Sequence, residues 1–310
     1  MRLIRTMRKL LFLISVLTLF TACSAACSAG TAETETAMAG LDIQAQESIE
    51  HATSSPDELL TVHFINVGEG DAILIVQGSY AMLIDGGPVE MGAVVFNYLY
   101  GQGVETLEYV TATHPFADHV GGLPYVMRRI NVNSVLLPMI YHDTPEYNAF
   151  LSAVEDSGAD AAVPFAGHTF MLGDAYITVL APNPADEWEN RANYSIVLRV
   201  EFGSTSFLLM GDAMREVEAN LLNSTAQLSS DVLKAARHGA SSATTSSFLD
   251  AVSPSIAVIS AGENNSFLSH EVLRRLTGAG AHVFRTDLNG NVIITSDRTT
   301  LRVAVERQSP

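Results

Sequence analysis

From about residue 60 onward, short apolar runs alternate with amphipathic segments. The runs are four to eight residues long, as expected for buried strands, and His63 alternates with apolar neighbours as a sheet residue would. Predicted strands cover 61–67, 71–76, 80–85, 107–112, 133–137, 176–181, 195–202, 205–210, 255–260, 282–285 and 291–296, and predicted helices cover 89–101, 119–130, 145–157, 213–223, 243–252 and 270–279. This alternation is typical of a layered α/β domain.

The amino terminus has the pattern of a secretory signal peptide. Four basic residues lie within the first nine positions, the apolar run 10–20 follows, and small residues come next. The run is too short to span a bilayer comfortably. The segment Leu19-Phe20-Thr21-Ala22-Cys23 resembles a bacterial lipobox, which predicts that Cys23 is lipidated, with Cys27 as the alternative. The chain is therefore predicted to be exported and lipid-anchored at the outer face of the bacterial cytoplasmic membrane.

Composition divides the chain into three parts: 1–22 is the predicted signal peptide, 23–58 the lipidated cysteine and a flexible linker, and 59–310 one folded domain. The linker is rich in Ala, Ser, Thr and Glu and has little apolar periodicity. About 250 residues suffice for one large domain with a substantial core. Both cysteines of the chain precede that domain, which excludes disulfides, thiolate metal ligands and a cysteine nucleophile within it.

The segment from Thr113 to Leu123 carries the clearest chemical pattern. It holds His114, Asp118 and His119, and imidazole and carboxylate suit zinc, iron or manganese. The loop resembles the His-x-His-x-Asp-His loop of metallo-β-lactamase-fold hydrolases, in which two cations about 3.5–4 Å apart share a bridging water. Phe116 stands where that loop has its second histidine. A phenyl ring offers no lone pair, so the first metal of the pair loses a ligand.

Five further blocks resemble, in the same order, the extracytoplasmic hydrolase domain of ComEC-type competence proteins and its stand-alone relatives. The blocks are 62–87, 191–198, 207–213, 233–241 and 260–265. With the histidine loop they cover roughly residues 60 to 300. The resemblance implies a single αββα sandwich whose metal site lies at one edge of the two sheets, behind the signal peptide and linker.

The same resemblance implies a set of metal ligands. They are His114, Asp118, His119, Asp212 and His238. Asp212 is implied to bridge the metals, and Asp118 and Asp212 are the implied catalytic residues. His238 belongs to a block where the family has a His-His pair and this chain has Arg237 first, and which of the two positions is the ligand stays open. One or two divalent cations per chain are implied, zinc first, with manganese or iron as alternatives.

Six other residues are candidates to support the metal or to contact substrate. They are Asp71, Asp85, Asn193, Arg237, Asn265 and His270. Family loops place acids at positions 71 and 85, either beneath the ligands or as turn caps. His270 either replaces a family histidine from a shifted position or begins a helix, and Ser269 as a natural N-cap favours the helix.

Charge bears on the substrate. The chain has 17 basic and 34 acidic residues, a net charge of −17, and removing the four basic residues before Cys23 makes it −21. Nucleic-acid binders usually show a basic footprint, which this chain lacks globally. Basic residues in or near the motif segments are either a local basic rim or ordinary surface charges; they are Arg128, Arg129, Lys234 and Arg237.

Two functions follow. The first is an exported hydrolase in which metal-activated water attacks DNA, a small phosphodiester or a wall-linked ester, and the charge favours the two smaller substrates. The second is a lapsed family member that acts as a surface binding or scaffold lipoprotein after losing histidines at Phe116 and Arg237. The retained ligand residues favour a hydrolase, because buried ligand groups without a ligand are costly. The lipid anchor makes the membrane a predicted partner, and no protein partner is inferable.

Overall fold

The computed structural model describes residues 42–43, 58–263 and 267–308. The signal peptide, both cysteines, Asn265 and most of the predicted linker lie outside these residues. The strands are β1 (Asp42–Ile43), β2 (Leu60–Phe64), β3 (Ile73–Gln77), β4 (Tyr80–Ile84), β5 (Thr106–Thr111), β6 (Asn131–Leu136), β7 (Asp160–Ala162), β8 (Thr169–Leu172), β9 (Ala175–Ala181), β10 (Val197–Phe202), β11 (Thr205–Leu209), β12 (Val232–Lys234), β13 (Ile256–Ile259), β14 (His282–Arg285), β15 (Val292–Ser296) and β16 (Leu301–Val305). The helices are α1 (Gly92–Gly101), α2 (Ala117–Val120), α3 (Leu123–Met127), α4 (Pro145–Ser157), α5 (Arg215–Leu222), α6 (Ser246–Val252), α7 (His270–Gly278) and α8 (Thr286–Asn289).

The strands form two mixed sheets. One has nine strands in the order β1-β16-β15-β2-β3-β4-β5-β6-β7, and the other has seven in the order β14-β13-β12-β11-β10-β9-β8. In each sheet, hairpin-connected antiparallel strands adjoin a parallel block, β4 to β7 in the first and β11 to β14 in the second. In the parallel blocks the carboxyl ends of the strands share one edge of the sheet, where ligand sites of α/β proteins form.

Apolar side chains from the facing sides of both sheets form one core. Phe64 and Ile75 of the nine-stranded sheet join Phe202 and Phe207 of the seven-stranded sheet in a cluster with less than 2 % exposure at each of these side chains. The alternation along each strand places these residues inward. Burying a side chain of this size contributes about 1.5–3 kcal/mol, so the sandwich is held mainly by this layer.

Helices cover the outer faces of both sheets. On the seven-stranded sheet, α5, α6 and α7 bury Val217, Phe248 and Val272 in a second apolar cluster. On the nine-stranded sheet, α1, α3 and α4 pack against one another and α4 contacts β6. The αββα sandwich that the resemblance implies is therefore confirmed.

Helix α4 shows how the sequence sets an element that borders the site. Thr144 caps it by accepting a hydrogen bond from the Tyr147 backbone N–H at 3.3 Å, and Pro145 occupies the first turn. Gly158 ends it in the left-handed conformation at φ 69°. The observed bounds, Pro145–Ser157, match the predicted ones, and the cap fixes Glu146 in the first turn.

The predicted helix 119–130 is in fact two helices, α2 and α3, separated by Gly121 and Gly122. The Gly122 N–H donates to the Gly87 carbonyl at 2.9 Å, and a Cβ at either glycine would collide with backbone atoms of 86–89 or α2. A single continuous helix was therefore the wrong prediction here. The break lets the histidine loop pack directly on the loop that follows β4.

Five observed strands were not predicted: β1, β7, β8, β12 and β16. Strands β1, β7 and β12 have only two or three residues, and their backbone pairing comes from neighbours distant in sequence, whereas β8 and β16 pair with the adjacent strands β9 and β15 in hairpins. Strand β1 lies inside the predicted linker, where Asp42 and Ile43 pair in parallel with Arg302 and Val303 of β16. The pairing satisfies backbone groups that β16 would otherwise expose at the sheet edge.

Candidate metal centre

Residues from both sheets meet at the edge where the parallel strands end. His114 follows β5, and Asp118 and His119 lie in α2 directly after it. Asp212 follows β11 in the other sheet, and His238 follows β12. The structure therefore brings together all five residues that the resemblance implies as ligands, three from one sheet and two from the other.

Four of these side chains surround one point. Nε2 of His119 lies 3.7 Å from Oδ2 of Asp118 and 3.5 Å from Oδ1 of Asp212. Nε2 of His238 lies 3.5 Å and 3.6 Å from the same two oxygens. In a tetrahedral zinc site with bonds of about 2.0–2.2 Å, ligand atoms stand roughly 3.3–3.6 Å apart. These four separations match those of neighbouring ligands in such a site, and candidate ligand atoms of Asp118, His119 and His238 all lie within 4.8 Å of one another.

Several donor atoms of the cluster are buried without a hydrogen bond. Among the residues that the structure describes, Nε2 of His114, Nε2 of His119 and Oδ1 of Asp212 have no hydrogen-bond partner. Buried polar atoms are nearly always satisfied in folded proteins, and donor atoms that face one another in this way would be satisfied by a cation. The donor set and its orphaned atoms fit a divalent metal.

The half of the site next to Phe116 has fewer donors. Nε2 of His114 lies 3.6 Å from Oδ2 of Asp212, and these two with His119 are the only candidate donors grouped there among the described residues. The Phe116 ring packs edge-on against the His114 imidazole with centroids 4.8 Å apart, and His142 lies on its other side at 5.5 Å. An apolar ring thus fills the position of a ligand.

Asp85 fixes the orientation of His119. Its Oδ2 lies 2.8 Å from Nδ1 of His119, and its two oxygens accept hydrogen bonds from the backbone N–H and the hydroxyl of Thr113 at 2.8 and 2.6 Å. Asp85 directly follows β4 in a left-handed conformation with φ 57°, so it also forms the turn. Asp85 therefore has both roles that the sequence left open: it lies beneath a candidate ligand, and it forms a turn.

Asp71 lies beneath both imidazoles and is paired with Lys234. Its oxygens are 3.9 Å from Nδ1 of His119 and 3.9 Å from Nδ1 of His238. Lys234 donates to Asp71 in a close ion pair and to the Gly211 carbonyl at 3.2 Å. The buried ammonium group of Lys234 thus contacts the turn that presents Asp212.

The basic rim considered from sequence is not formed. Lys234 has no exposed surface, and Arg128 and Arg129 lie on the exposed end of α3, away from the metal centre. The apolar neighbours of Lys234 in Val232-Leu233-Lys234-Ala235-Ala236 are the sequence signal for its burial. Only Arg237 of the four basic residues lines the cavity over the centre.

The charges of the cluster shift its pKa values. Burial lowers the pKa of His114 to about 3, helped by the nearby His119. At His119 burial acts in the same direction, but the carboxylates of Asp85 and Asp212 outweigh it and raise the pKa to about 10. The imidazoles in turn lower the pKa of Asp118 and Asp212 against the effect of burial. A cation that binds here must therefore displace protons, and its affinity will depend on pH.

Two residues hold Asp212 in place. The backbone N–H of Asp212 donates to Oγ of Ser195 at 3.1 Å, and Oδ1 of Asn193 accepts from the backbone N–H of Met214 at 2.9 Å. Asn193 therefore supports the turn that carries Asp212. Ser195, which sequence reasoning left without a role, lies in the same Asn-Tyr-Ser block, and that block was the available signal.

The remaining candidates lie at different distances from the centre. Nδ1 of His238 is 3.2 Å from the Ser260 carbonyl, which turns its Nε2 toward Asp118 and Asp212, so position 238 of the family pair faces the centre. His270 is exposed and begins α7 behind the N-cap Ser269, as the helix interpretation predicts.

A cavity of about 570 Å³ opens over the centre. It is lined by Glu69, Pro88, Val89, Glu90, Phe116, Ala117, Asp118, Glu146, Asp212, Arg237 and Phe267. Among the candidate ligands, Asp118 reaches it with 33 % of its side chain exposed, whereas His119 is fully buried. Small molecules can therefore reach the centre from the side of Asp118.

An αββα sandwich with a histidine and aspartate cluster at the carboxyl edge of its sheets defines a class of metal-binding proteins with the architecture of metallo-β-lactamases. The chain belongs to the metallo-beta-lactamase superfamily, whose family model matches residues 65–263. It is 28 % identical over 251 residues to ComE operon protein 3 of Bacillus subtilis, covering 74 % of this chain and 32 % of that protein. It is 27 % identical over 259 residues to Recombination protein 2 of Haemophilus influenzae, covering 80 % and 31 %.

The chain spans about a third of the length of these curated relatives. Among solved structures, the metallo-beta-lactamase fold protein YhfI of Bacillus subtilis superposes with a TM-score of 0.52 at 13 % identity, covering 76 % of this chain and 100 % of that one. At this identity the likeness supports the fold alone. The superfamily and the competence-type relatives that the sequence resembles are thereby confirmed.

Proposed function

We propose that this chain is an exported metal-dependent hydrolase in which a divalent cation, zinc first, activates water against a phosphodiester or another ester. The observation that carries the proposal is the cluster of Asp118, His119, His238 and Asp212, whose imidazole nitrogens lie 3.5–3.7 Å from the carboxylate oxygens and which holds buried donor atoms without hydrogen bonds. This cluster holds one cation more tightly than any other site. The half-site beside Phe116 lacks a ligand, so the centre works chiefly with a single metal.

A bound cation of this kind lowers the pKa of water toward neutrality and polarises the ester it touches. The side chains have separate tasks around that chemistry. Asp118 is the cluster carboxylate most exposed to the cavity, so it is placed to accept a proton from the attacking water. Asp212 is 5 % exposed and is held by Ser195, which suits a fixed ligand. His114 completes the wall behind Asp212, and Phe116 limits the entry of bulk water.

Export and anchoring are part of the proposal. The signal-peptide pattern and the lipobox-like sequence support a lipid on Cys23 at the outer face of the cytoplasmic membrane. No helix among the described residues is long and apolar enough to cross a bilayer. A relative named Recombination protein 2 keeps DNA among the candidate substrates, beside small phosphodiesters and wall-linked esters.

A binding or scaffold lipoprotein is the second candidate. Phe116 favours it, because an apolar ring in a ligand position reduces the metal complement. Under that alternative the protein keeps its fold and its cluster of histidines and aspartates but hydrolyses no substrate.

Elemental analysis of protein purified without chelator tests the proposal, followed by assays on bis(4-nitrophenyl) phosphate and 4-nitrophenyl acetate with zinc supplied. We expect one tightly bound metal per chain, turnover of at least one ester, and loss of both in Asp212→Ala. Asp250→Ala, an exposed change on α6, is the matched control. Two equally occupied metals would contradict the single-metal centre. Absence of turnover on phosphodiester, phosphomonoester, carboxylic ester and lactone substrates would establish the binding module.

A further inference from the structure

Arg237 places a guanidinium in a cavity whose other charged side chains are all carboxylates. Its backbone N–H donates to the Gly211 carbonyl at 3.1 Å, so the residue lies beside the turn that presents Asp212. Its Nη1 contacts Sδ of Met214, and the guanidinium carbon lies 5.7 Å from the centre of the Phe267 ring. A sulfur and an aromatic face thus hold the side chain along the cavity wall.

The guanidinium has no anionic partner within the described part of the chain. No carboxylate oxygen there lies within 4.0 Å of its nitrogens, and Nε and Nη2 donate to no acceptor. By contrast, Arg199 pairs with Glu201 at 2.6 Å, and Arg298 pairs with Asp174. Arginine presents five donors in a planar fork that matches phosphate and carboxylate oxygens. Those of Arg237 remain available to a ligand in the cavity.

The charged side chains of the cavity form two sets. The first is Asp118 and Asp212, whose two negative charges a bound divalent cation would balance, with the positive charge of Arg237 beside them. The other charged lining residues are Glu69 and Glu146, partly exposed, and Glu90, exposed. All three line the same cavity, so their carboxylates oppose the approach of further negative charge.

We propose that Arg237 binds the anionic group of a small ester carrying a single negative charge, and that Glu69, Glu90 and Glu146 exclude nucleic acid from the centre. The inference rests on the proposed hydrolase function and narrows its substrate to monoanionic phosphodiesters or carboxylate-bearing esters. The cavity volume of about 570 Å³ suits such a molecule. A nucleic-acid strand would bring several phosphates past the three glutamates with one arginine to receive them.

Binding measured without turnover tests this inference. The zinc-loaded full chain is titrated calorimetrically at low ionic strength with diethyl phosphate, neutral triethyl phosphate and a ten-nucleotide thymidine oligomer. The variants are Arg237→Gln, the exposed control Arg274→Gln with the same charge change, and the double variant Glu90→Gln/Glu146→Gln. Zinc content is measured for each variant, so that a loss of folding or of metal is distinguished from a loss of ligand binding.

We expect Arg237→Gln to weaken diethyl phosphate binding roughly tenfold or more, the scale of a lost charge-assisted hydrogen bond. Arg274→Gln should match the parent, and binding of triethyl phosphate should not depend on Arg237. The oligomer should bind the parent more weakly than diethyl phosphate and should bind the double variant more tightly than the parent.

Three outcomes would overturn the inference. The parent and Arg237→Gln bind diethyl phosphate equally, the parent binds the oligomer more tightly than diethyl phosphate, or the parent does not bind diethyl phosphate at all. Arg237-dependent binding without hydrolysis of any ester would overturn the proposed function alone. Hydrolysis with Arg237-independent binding would overturn only the role of Arg237.

Discussion

Nδ1 of His119 and Oδ2 of Asp85 lie 2.8 Å apart inside the molecule. Because Thr113 donates two hydrogen bonds to the same carboxylate, Asp85 acts as acceptor throughout and Nδ1 of His119 carries the hydrogen. When the ring is neutral, as a bound cation requires, the lone pair of His119 is then on Nε2, which faces Asp118 and Asp212. A residue at the end of a strand in one sheet thereby sets the tautomer of a candidate ligand.

Asp85→Asn is expected to lower zinc affinity 10- to 100-fold, the usual effect of losing a group that orients a metal ligand. The amide can present N–H groups to Nδ1 and so favours the wrong tautomer of His119. Competition with a chromophoric chelator measures the affinity. The control is Asp250→Asn on the exposed face of α6, and unchanged affinity in Asp85→Asn would remove Asp85 from the centre.

Phe116→His is expected to raise the metal content above one per chain and to increase ester hydrolysis. The restored imidazole adds a donor beside His114, and a second cation would stabilise the attacking and leaving oxygens together. Elemental analysis and the ester assays measure both effects. Phe116→Leu removes the ring without adding a ligand. An equal increase in metal content and hydrolysis in that variant would show that the smaller side chain, and not a new metal ligand, causes the change.

The sequence predicted the class of fold, and the five residues that the resemblance implies as ligands lie together in the structure, because both follow from short local motifs. The observed α4 coincides with the predicted helix, and the histidine loop holds its chemistry within six residues, His114 to His119. Lys234 fits neither alternative that the sequence left open, a basic rim or an ordinary surface charge, because it is buried against Asp71, a partner distant in sequence. The missed role of Ser195 has the same cause, since its contact with Asp212 exists only after the sheets assemble.

Lys234→Met is expected to destabilise the fold by about 3–5 kcal/mol, because it leaves the Asp71 carboxylate buried without its cation. Adding Asp71→Asn should recover part of this loss. Denaturant unfolding in the presence of chelator measures the free energies without a contribution from metal. Additive effects of the two substitutions would show that the ion pair is not coupled in the folded state.

His63 makes the fold less stable in mild acid. Burial lowers its pKa to about 4 from an ordinary value of 6.5, while its ring contacts the Tyr98 hydroxyl and Thr61. Between these values the unfolded chain binds a proton that the folded chain does not, so stability falls as pH drops from about 6.5 to about 4. The loss amounts to at most about 3 kcal/mol.

His63→Gln keeps hydrogen bonds to Tyr98 and Thr61 but cannot titrate in this range. Its stability should change less than that of the parent between pH 6.5 and pH 4, as measured by urea unfolding with chelator present. Parallel pH profiles for the two proteins would show that the burial of His63 carries no proton linkage.

Cys23→Ser is expected to abolish labelling by a radioactive or clickable fatty acid in cells and to release the protein from the membrane fraction. The reason is the lipobox-like sequence that ends in Cys23, which predicts that the Cys23 thiol accepts the lipid. Cys27→Ser is the matched control and should retain the label. Labelling that disappears only in Cys27→Ser would move the anchor to that residue.

The meeting of two sheets at one centre would also give a bound metal a mechanical role. Asp118 and His119 follow a strand of the nine-stranded sheet and Asp212 and His238 follow strands of the seven-stranded sheet, so one cation held by them would crosslink chain segments far apart in sequence. The domain has no cysteine with which to make such a crosslink covalently. The coordination energy of that cation would then be folding energy, as in small metalloproteins. Chelation should expose the loops after β5, β11 and β12 to proteases before the core between the sheets opens.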